Sequence, residues 1–495
     1  MGGISETLDL VKQAQAAPSE ALQKSFTQAT GLVAYDLEAG AKKLYPVLTP
    51  LRNMIGRVKG AGDTATRWKA ITAINTGNAH PGVSEGNRGS VITETVTPYT
   101  APYIGIGLEN AVTFEADYAA QGFDDAKARA AESLLRSVMI QEERMILGGN
   151  GSMALGTTPT PTVANAGTGG TIAAGTYDVI AVAMTFDAFK RFSVAGGLSG
   201  TISKTNADGS TDSIPGGIAQ KSAASSTTTT SGSTSSITAT VAAVQGAVAY
   251  AWYVGTAGAE RLSQITYINS ALITSIPGSS QLASALPSAD NSAQTNFAFD
   301  GLLTFALKSG TGATVITQAT GTAGTGTGLT GDGKAGISEF DQILGLLWDN
   351  YKLQPDGMWL HRIDLINLSK KIIQNGTTPV FRFNVQGNGN GSGAGQGSIV
   401  GGSVVNEYLS PIDERVIPMK IHPDAVPGTI LFTTKELPYP TSNIGDTFRI
   451  KTRREYYQLE WPLRSRKYEY GVYADEVLQH YAPFSLAALT NVGAS

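Results

Sequence analysis

The sequence predicts an α+β chain with an all-β sandwich set into its middle. Three observations carry that prediction. Residues 124–147 hold one long helical period. Residues 152–299 contain only 11 charged residues in 148, against 65 in the other 347, and are punctuated by short β-branched and aromatic runs. Ahead of the helix, two strand-like arms, Thr64–Ala73 and Ser90–Tyr99, flank a stretch of turn residues.

In chain order, the arms come first. The segment between them, from Gly77 through His80-Pro81 and Ser84 to Gly89, is mostly turn chemistry. This predicts a long hairpin with little apolar alternation of its own, which needs a partner surface to be stable. The helix follows. Asp124 is expected to cap it, with Asp125 adding favourable charge against the dipole. Ala126, Ala130, Leu134, Val138 and Met145 recur on one face beside Leu135, Met139 and Ile146, and Gly148-Gly149 supplies the stop.

In the low-charge stretch, Gly175–Val182, Ser236–Val241, Ala247–Val254 and Arg261–Ile268 read as strands. Between Ser222 and Thr240, 14 of 19 residues are Ser or Thr, which predicts a loop or flexible linker. Trp252, Tyr250, Val179 and Ile180 are the expected interior. Thr158–Pro161 and Ser284–Ser292 are expected as polar connecting stalks, leaving an autonomous and dispensable unit. The pattern resembles an immunoglobulin or fibronectin-type module, without the cysteine pair of antibody domains. Beyond it, Ser338–Tyr351 is a second helix, with Ser338 as N-cap and Asp341 at the capping-box position. A third runs from Asp364 to Gln374, Gly387–Gly397 is a flexible loop, and strands and turns fill the chain from Val416 onward.

Composition excludes several functions. The net charge of −4 speaks against a dedicated nucleic-acid binder. The chain has no cysteine, so disulfides, thiolate metal sites and thiol nucleophiles are ruled out. No apolar run is long enough for a membrane-spanning helix. Glu6 and Asp9 stand where a signal peptide would be basic and then apolar, so cytoplasmic production is expected.

No catalytic motif survives inspection. Gly328–Ala335 approaches a phosphate-binding loop, but Ala335 replaces the magnesium-holding hydroxyl and Asp332 repels phosphate, so a mobile loop is expected. The same stretch fails as a dinucleotide fingerprint for want of a strand, and as a calcium loop because Gly328 and Thr330 occupy the first ligand positions. Gly82-Val-Ser84-Glu-Gly86 spells a nucleophile elbow but falls at a hairpin tip. His80, His361, His422 and His480 are isolated from one another, and Glu142-Glu143 and Asp124-Asp125 read as solvated pairs on a helix surface. No catalytic residue, cofactor or metal is expected. One cluster remains: Arg449, Lys451, Arg453, Arg454, Arg464, Arg466 and Lys467, seven cations against Glu455, Glu460 and Glu469. Strand alternation places several of them on one face, suited to intersubunit salt bridges or to a polyanion.

The order of parts, with the strings Gln141–Gly151 and Arg466–Leu478 followed by Ala482-Pro483-Phe484, resembles the major capsid proteins of tailed bacteriophages. The resemblance implies the Hong Kong 97-type capsid fold. In it, 1–56 is an N-terminal arm, 57–108 an extended hairpin loop, and 109–156 the peripheral domain with its spine helix. Residues 157–296 form an inserted immunoglobulin-like sandwich, 297–420 the axial domain, and 421–495 the C-terminal peripheral strands. It further implies homo-pentamers and homo-hexamers forming a virion shell assembled in the host cytoplasm, with a portal protein, a separate scaffolding protein and a decoration protein as partners. Packaged double-stranded DNA would meet the shell by nonspecific contact, and no membrane is involved. Two other readings stay open: a surface adhesin or glycan-binding protein working through the β-module, and a cellular nanocompartment shell.

Overall fold

The computed structural model describes residues 48–74, 82–89, 91, 94–120, 125–229, 232–334, 336–375, 405–440 and 442–493. Most of the expected arm, Asp124 and the Gly387–Gly397 loop lie outside them.

The first third runs α1 (Pro50–Met54), β1 (Arg57–Lys59), the hairpin strands β2 (Ala65–Ile74) and β3 (Glu94–Pro102), β4 (Ile104–Thr113), α2 (Phe114–Ala120) and the long α3 (Ala126–Gly148). The middle holds β5 (Thr162–Ala166), β6 (Gly175–Met184), α4 (Phe186–Arg191), β7 (Thr201–Thr205), β8 (Thr211–Pro215), β9 (Ser225–Thr229), β10 (Ser236–Thr240), β11 (Ala249–Gly255), β12 (Arg261–Thr266) and β13 (Ser270–Ile273). Then come α5 (Leu302–Leu307), β14 (Thr314–Thr317), α6 (Ser338–Tyr351), β15 (Gly357–Leu360), α7 (Arg362–Asn375), β16 (Glu407–Leu409), β17 (Val416–Ile421), β18 (Ile430–Thr433), β19 (Phe448–Glu460), β20 (Lys467–His480) and β21 (Ala487–Thr490). The class is α+β, as the sequence predicts.

Helix α3 packs on a four-stranded sheet of order β1-β19-β20-β4. Leu134, Val138, Ile146 and Leu147 face that sheet's core, one side of the helix at its own period. The cap is Asp125, one residue after the position expected: its carboxylate accepts the Ala128 N–H at 3.0 Å.

In the middle third, a sheet of order β13-β10-β5 faces one of order β12-β11-β6-β9. Val179, Ala181, Ala183, Tyr250, Trp252 and Val254 point into the shared core. Ile180, Val182, Met184, Ala251 and Tyr253, one residue out of phase, pack instead under α4 and the segment around Leu198, Ile218 and Leu286. The four-stranded sheet is thus covered on both faces. That is why its central strands β6 and β11 read as continuous apolar runs and why adjacent Val179 and Ile180 are both buried.

Two expectations need correcting here. The Ser/Thr tract is largely strand rather than linker, because threonine is β-branched and its hydroxyls find partners. Thr176 and Thr228 pair across β6 and β9 at 3.1 Å, and Thr229 Oγ1 donates to the Ala173 carbonyl at 2.6 Å. Nor are the connecting segments free stalks. Thr158 is buried, its hydroxyl accepting the Ala183 N–H at 2.9 Å, and the buried Ser292 carbonyl accepts Asn150 Nδ2 at 2.9 Å.

The last part is a six-stranded sheet of order β14-β21-β18-β15-β17-β16, with Phe340, Ile343, Leu344 and Leu347 of α6 and Leu365 and Leu368 of α7 in one core with it. Its strands β18 and β21 come from the stretch 421–495, which is therefore shared between two sheets. Ser338 does not cap α6. The N-cap is Ile337, whose N–H donates to the Tyr408 hydroxyl at 3.0 Å while that hydroxyl donates to Asp341 at 2.6 Å. A tyrosine from β16 thus completes the link a capping box would make directly.

Candidate assembly site

The hairpin divides into two halves. Along β2, Thr66, Trp68, Ala70 and Thr72 are buried in strict alternation, an alternation the sequence reading missed because two of the four are threonine. Trp68 stacks on Tyr99 at 5.5 Å, and Tyr99 meets Phe305 edge-on at 6.1 Å. Trp68 Nε1 donates to the His480 carbonyl at 3.0 Å, Gln479 Nε2 to Thr66 Oγ1 at 2.9 Å, and the Ile71 N–H to the Tyr481 carbonyl at 2.9 Å. The base of the hairpin is therefore held by its own chain, contrary to the expectation that the whole ribbon depends on a neighbour. Further out, Val83 and Val91 are 49% and 88% exposed. Ser84 of the elbow-like string sits in a reverse turn, its carbonyl accepting the Asn87 N–H at 3.1 Å, and not on a strand-to-helix bend. His80 lies outside the described residues.

Beneath the four-stranded sheet is a buried charge cluster. Glu142 and Glu143, expected on a solvated helix face, are each 1% exposed. Glu142 accepts Arg52 Nε at 2.9 Å and is also bonded by Arg57 and by the Tyr456 hydroxyl. Arg57 continues to Glu476 at 2.8 Å. Burial pulls the Arg52 guanidinium below its usual range and raises Glu476 against the opposing pull of Arg57. Glu143 accepts the N–H groups of Leu51 at 2.9 Å and Arg52 at 2.7 Å, two of the orphan donors at the start of α1, and His422 Nε2 at 2.7 Å. No sequence signal near position 142 marks this site, because its partners come from segments around 52, 422, 456 and 476.

The basic cluster is only partly gathered. Arg449, Lys451 and Arg453 alternate with buried Phe448, Ile450 and Thr452, so they share one face of β19. Arg453 bonds Asp475 at 2.8 Å, while Arg449 lies over the Tyr481 ring at 4.7 Å and Arg454 over Tyr457 at 3.8 Å. At the far end of the β19–β20 hairpin, Arg466 meets Glu115 and Lys467 meets Glu469, both at 2.7 Å, and Arg464 lies in the same turn of the chain. Lys451 has no ion-pair partner among the described residues.

The phosphate-loop look-alike is a turn leading into α6. Asp332 accepts the N–H groups of Lys334 and Gly336, each at 2.7 Å, so its carboxylate occupies the donors a phosphate would need. The Gly/Thr run before it is hydrogen-bonded into the fold, with Gly326 N bonded to the Thr322 carbonyl at 2.7 Å and Thr330 N to Glu339 at 3.0 Å. Among the described residues, no three His, Asp or Glu side chains converge to hold a metal, and no helix is long and apolar enough to cross a membrane.

No protein-family model matches the chain, and no curated protein matches it. Among solved structures it is similar to the capsid protein of cyanophage A-1(L), at 9% identity and TM-score 0.43 over 94% of this chain and 99% of that one. The capsid of the native GTA particle aligns at 8% identity and TM-score 0.42, over 94% and 97%. The SrpI encapsulin complex from Synechococcus elongatus PCC 7942 aligns at 10% identity and TM-score 0.38, over 92% and 94%. The resemblance to tailed-phage capsid proteins drawn from the order of parts meets capsids again here. At these identities and TM-scores the likeness is distant, and the functional reading stands on the chain's own parts.

Proposed function

We propose that the chain is the major capsid protein of a tailed-bacteriophage shell, assembling as pentamers and hexamers around double-stranded DNA. The observation that carries this reading is the divided hairpin: a base bolted to its own chain and, further out, valines that are exposed among the described residues. A two-stranded ribbon is marginal in water by itself. Identical chains that lend such an element to the next copy make heterologous contacts, which close into rings when the rotation permits. In this reading β2–β3 is the extended loop, α3 the spine, and the six-stranded sheet the axial part. The cations on β19 and at the β19–β20 turn form intersubunit ion pairs or meet DNA nonspecifically. A portal, a separate scaffolding protein and a decoration protein are the partners it calls for, and the virion is its location.

The test is negative-stain microscopy of the expressed chain, alone and with a candidate scaffold. Uniform shells or capsomers support the reading, and monodisperse monomers under both conditions overturn it. Nuclease-protected DNA inside particles from the native source separates a genome shell from a cellular nanocompartment, which would enclose protein cargo instead.

A further inference from the structure

The Gly/Thr run 317–328 is wrapped around a turn of the insert. At the tip of β12–β13, Tyr267, Ile268, Asn269 and Ser270 enter the body. The Asn269 N–H donates to Asn491 Oδ1 at 2.8 Å, and Asn269 Nδ2 donates to Thr320 Oγ1 at 2.9 Å. Asn491 in turn donates to the Gln318 carbonyl at 2.8 Å, and the Gly324 N–H donates to Ser270 Oγ at 3.1 Å. Asn269 and Ile268 are each only 3% exposed.

The glycines are what permit this approach. A Cβ on Gly324 would lie 2.7 Å from Leu272 Cβ, and one on Gly326 would lie 2.9 Å from Gly493 Cα and 3.2 Å from Ile268 Cδ1. Both have positive φ, +83° and +78°, so an L side chain is excluded twice over. A run that looks like linker by composition is a fitted seat.

The insert is held at its opposite side as well. Lys190 on α4 donates to the Ala425 carbonyl at 3.4 Å and stands 4.0 Å from Asp424, whose carboxylate also takes Arg144 of α3 at 3.0 Å. Gln245 Nε2 donates to the Leu307 carbonyl at 2.9 Å. Phe186 of α4 packs directly on the end of α3, where a Cβ on Gly148 would lie 2.4 Å from its ring, so one body touches α3, the segment at 424–425 and the seat formed by β14's continuation and the C-terminal strand.

We propose that the insert is an internal brace that fixes the angle between the spine helix and the six-stranded sheet. An appendage on two polar stalks would need none of these contacts. The brace does not depend on the shell reading, because every contact in it lies within one chain.

The absence of cysteine makes the test direct. Spin labels on Gln141→Cys of α3 and Asp349→Cys of α6, both exposed positions, report the angle in the unassembled full chain. The intact brace should give one narrow distance distribution. Two variants open the seat: Gly326→Val by steric exclusion, and Asn491→Gly by removing both side-chain bonds while keeping the positive φ that Asn491 has. Each should raise amide exchange at 318–326 at least tenfold and widen the distribution at least twofold. Faster exchange with an unchanged narrow distribution would overturn the proposal, as would unchanged exchange in both. If Gly326→Val does not fold, Asn491→Gly decides alone.

Discussion

Glu143 on α3 accepts the Nε2–H of His422 at 2.7 Å, with both side chains out of water. His422 is fixed in that tautomer because its Nδ1 accepts the Asp424 N–H at 3.1 Å. The same carboxylate takes the first two free N–H groups of α1, whose leading Pro50 has none to offer. One side chain therefore ties together the start of the described chain, α3 and the segment after β17.

Glu143→Gln tests that tie. The amide keeps one acceptor oxygen but turns an NH2 toward a set of donors, leaving a buried N–H unpaired. The expected loss is about 2–4 kcal/mol of unfolding free energy, measured by urea titration. Amide exchange at Leu51 and Arg52 should rise above that of the surrounding core. Equal protection in both proteins would show that the carboxylate does not hold α1.

The long helix α3 and the apolar strands were legible because period and composition are local signals. Glu142 and Glu143 were not. Their burial is decided by Arg52, Arg57, Tyr456 and His422, and on a helix two adjacent carboxylates look like a solvated edge until those partners are placed. Gly324 and Gly326 carry no signal of their role either, since glycine chosen for close approach has the composition of glycine chosen for freedom. The α6 cap failed by one residue because the hydroxyl that serves it comes from Tyr408, about 70 residues downstream.

Acid should weaken the fold through His480. Its ring is fully buried between Phe305 and Phe448, neither nitrogen has a protein partner, and burial pushes its pKa down to about 3. The unfolded chain takes up a proton near pH 6.5 and the folded one does not, so stability is full above that value and is lost as pH falls toward 3. Between pH 7 and pH 5 this group alone should cost about 2 kcal/mol. His480→Leu should remove that share of the pH dependence in paired denaturant titrations. A wild-type and variant difference that stays constant from pH 7 to pH 5 would refute the assignment.

Asp364 works in the opposite sense. It sits in the first turn of α7, accepts the Gly428 N–H at 3.0 Å, and is pushed up to about 7 by burial. The folded state holds this proton where the unfolded chain has lost it, so its contribution is favourable at low pH and is lost as pH rises from about 4 through 7. Asp364→Asn keeps an acceptor for Gly428 and removes the buried charge. The variant should gain on the wild type by about 2.5 kcal/mol between pH 5 and pH 8. A gap that does not widen with pH would mean the carboxylate is better solvated than its surroundings indicate.

The hairpin should show two levels of protection rather than one. Its base is packed through Trp68, Tyr99 and Phe305 and bonded to Gln479, His480 and Tyr481, so residues 66–72 should exchange slowly even in unassembled protein. The segment carrying Val83 and Val91 has no such cover among the described residues and should exchange fast until a second copy lies against it. Trp68→Ala removes the stacked ring and the bond to the His480 carbonyl together, for an expected loss of about 3–5 kcal/mol. Because that variant also frees the base, assembly should fail while α6 and α7 keep their protection. Slow exchange of residues 82–91 in the free chain would remove the need for a neighbour, and with it the main support for a shell.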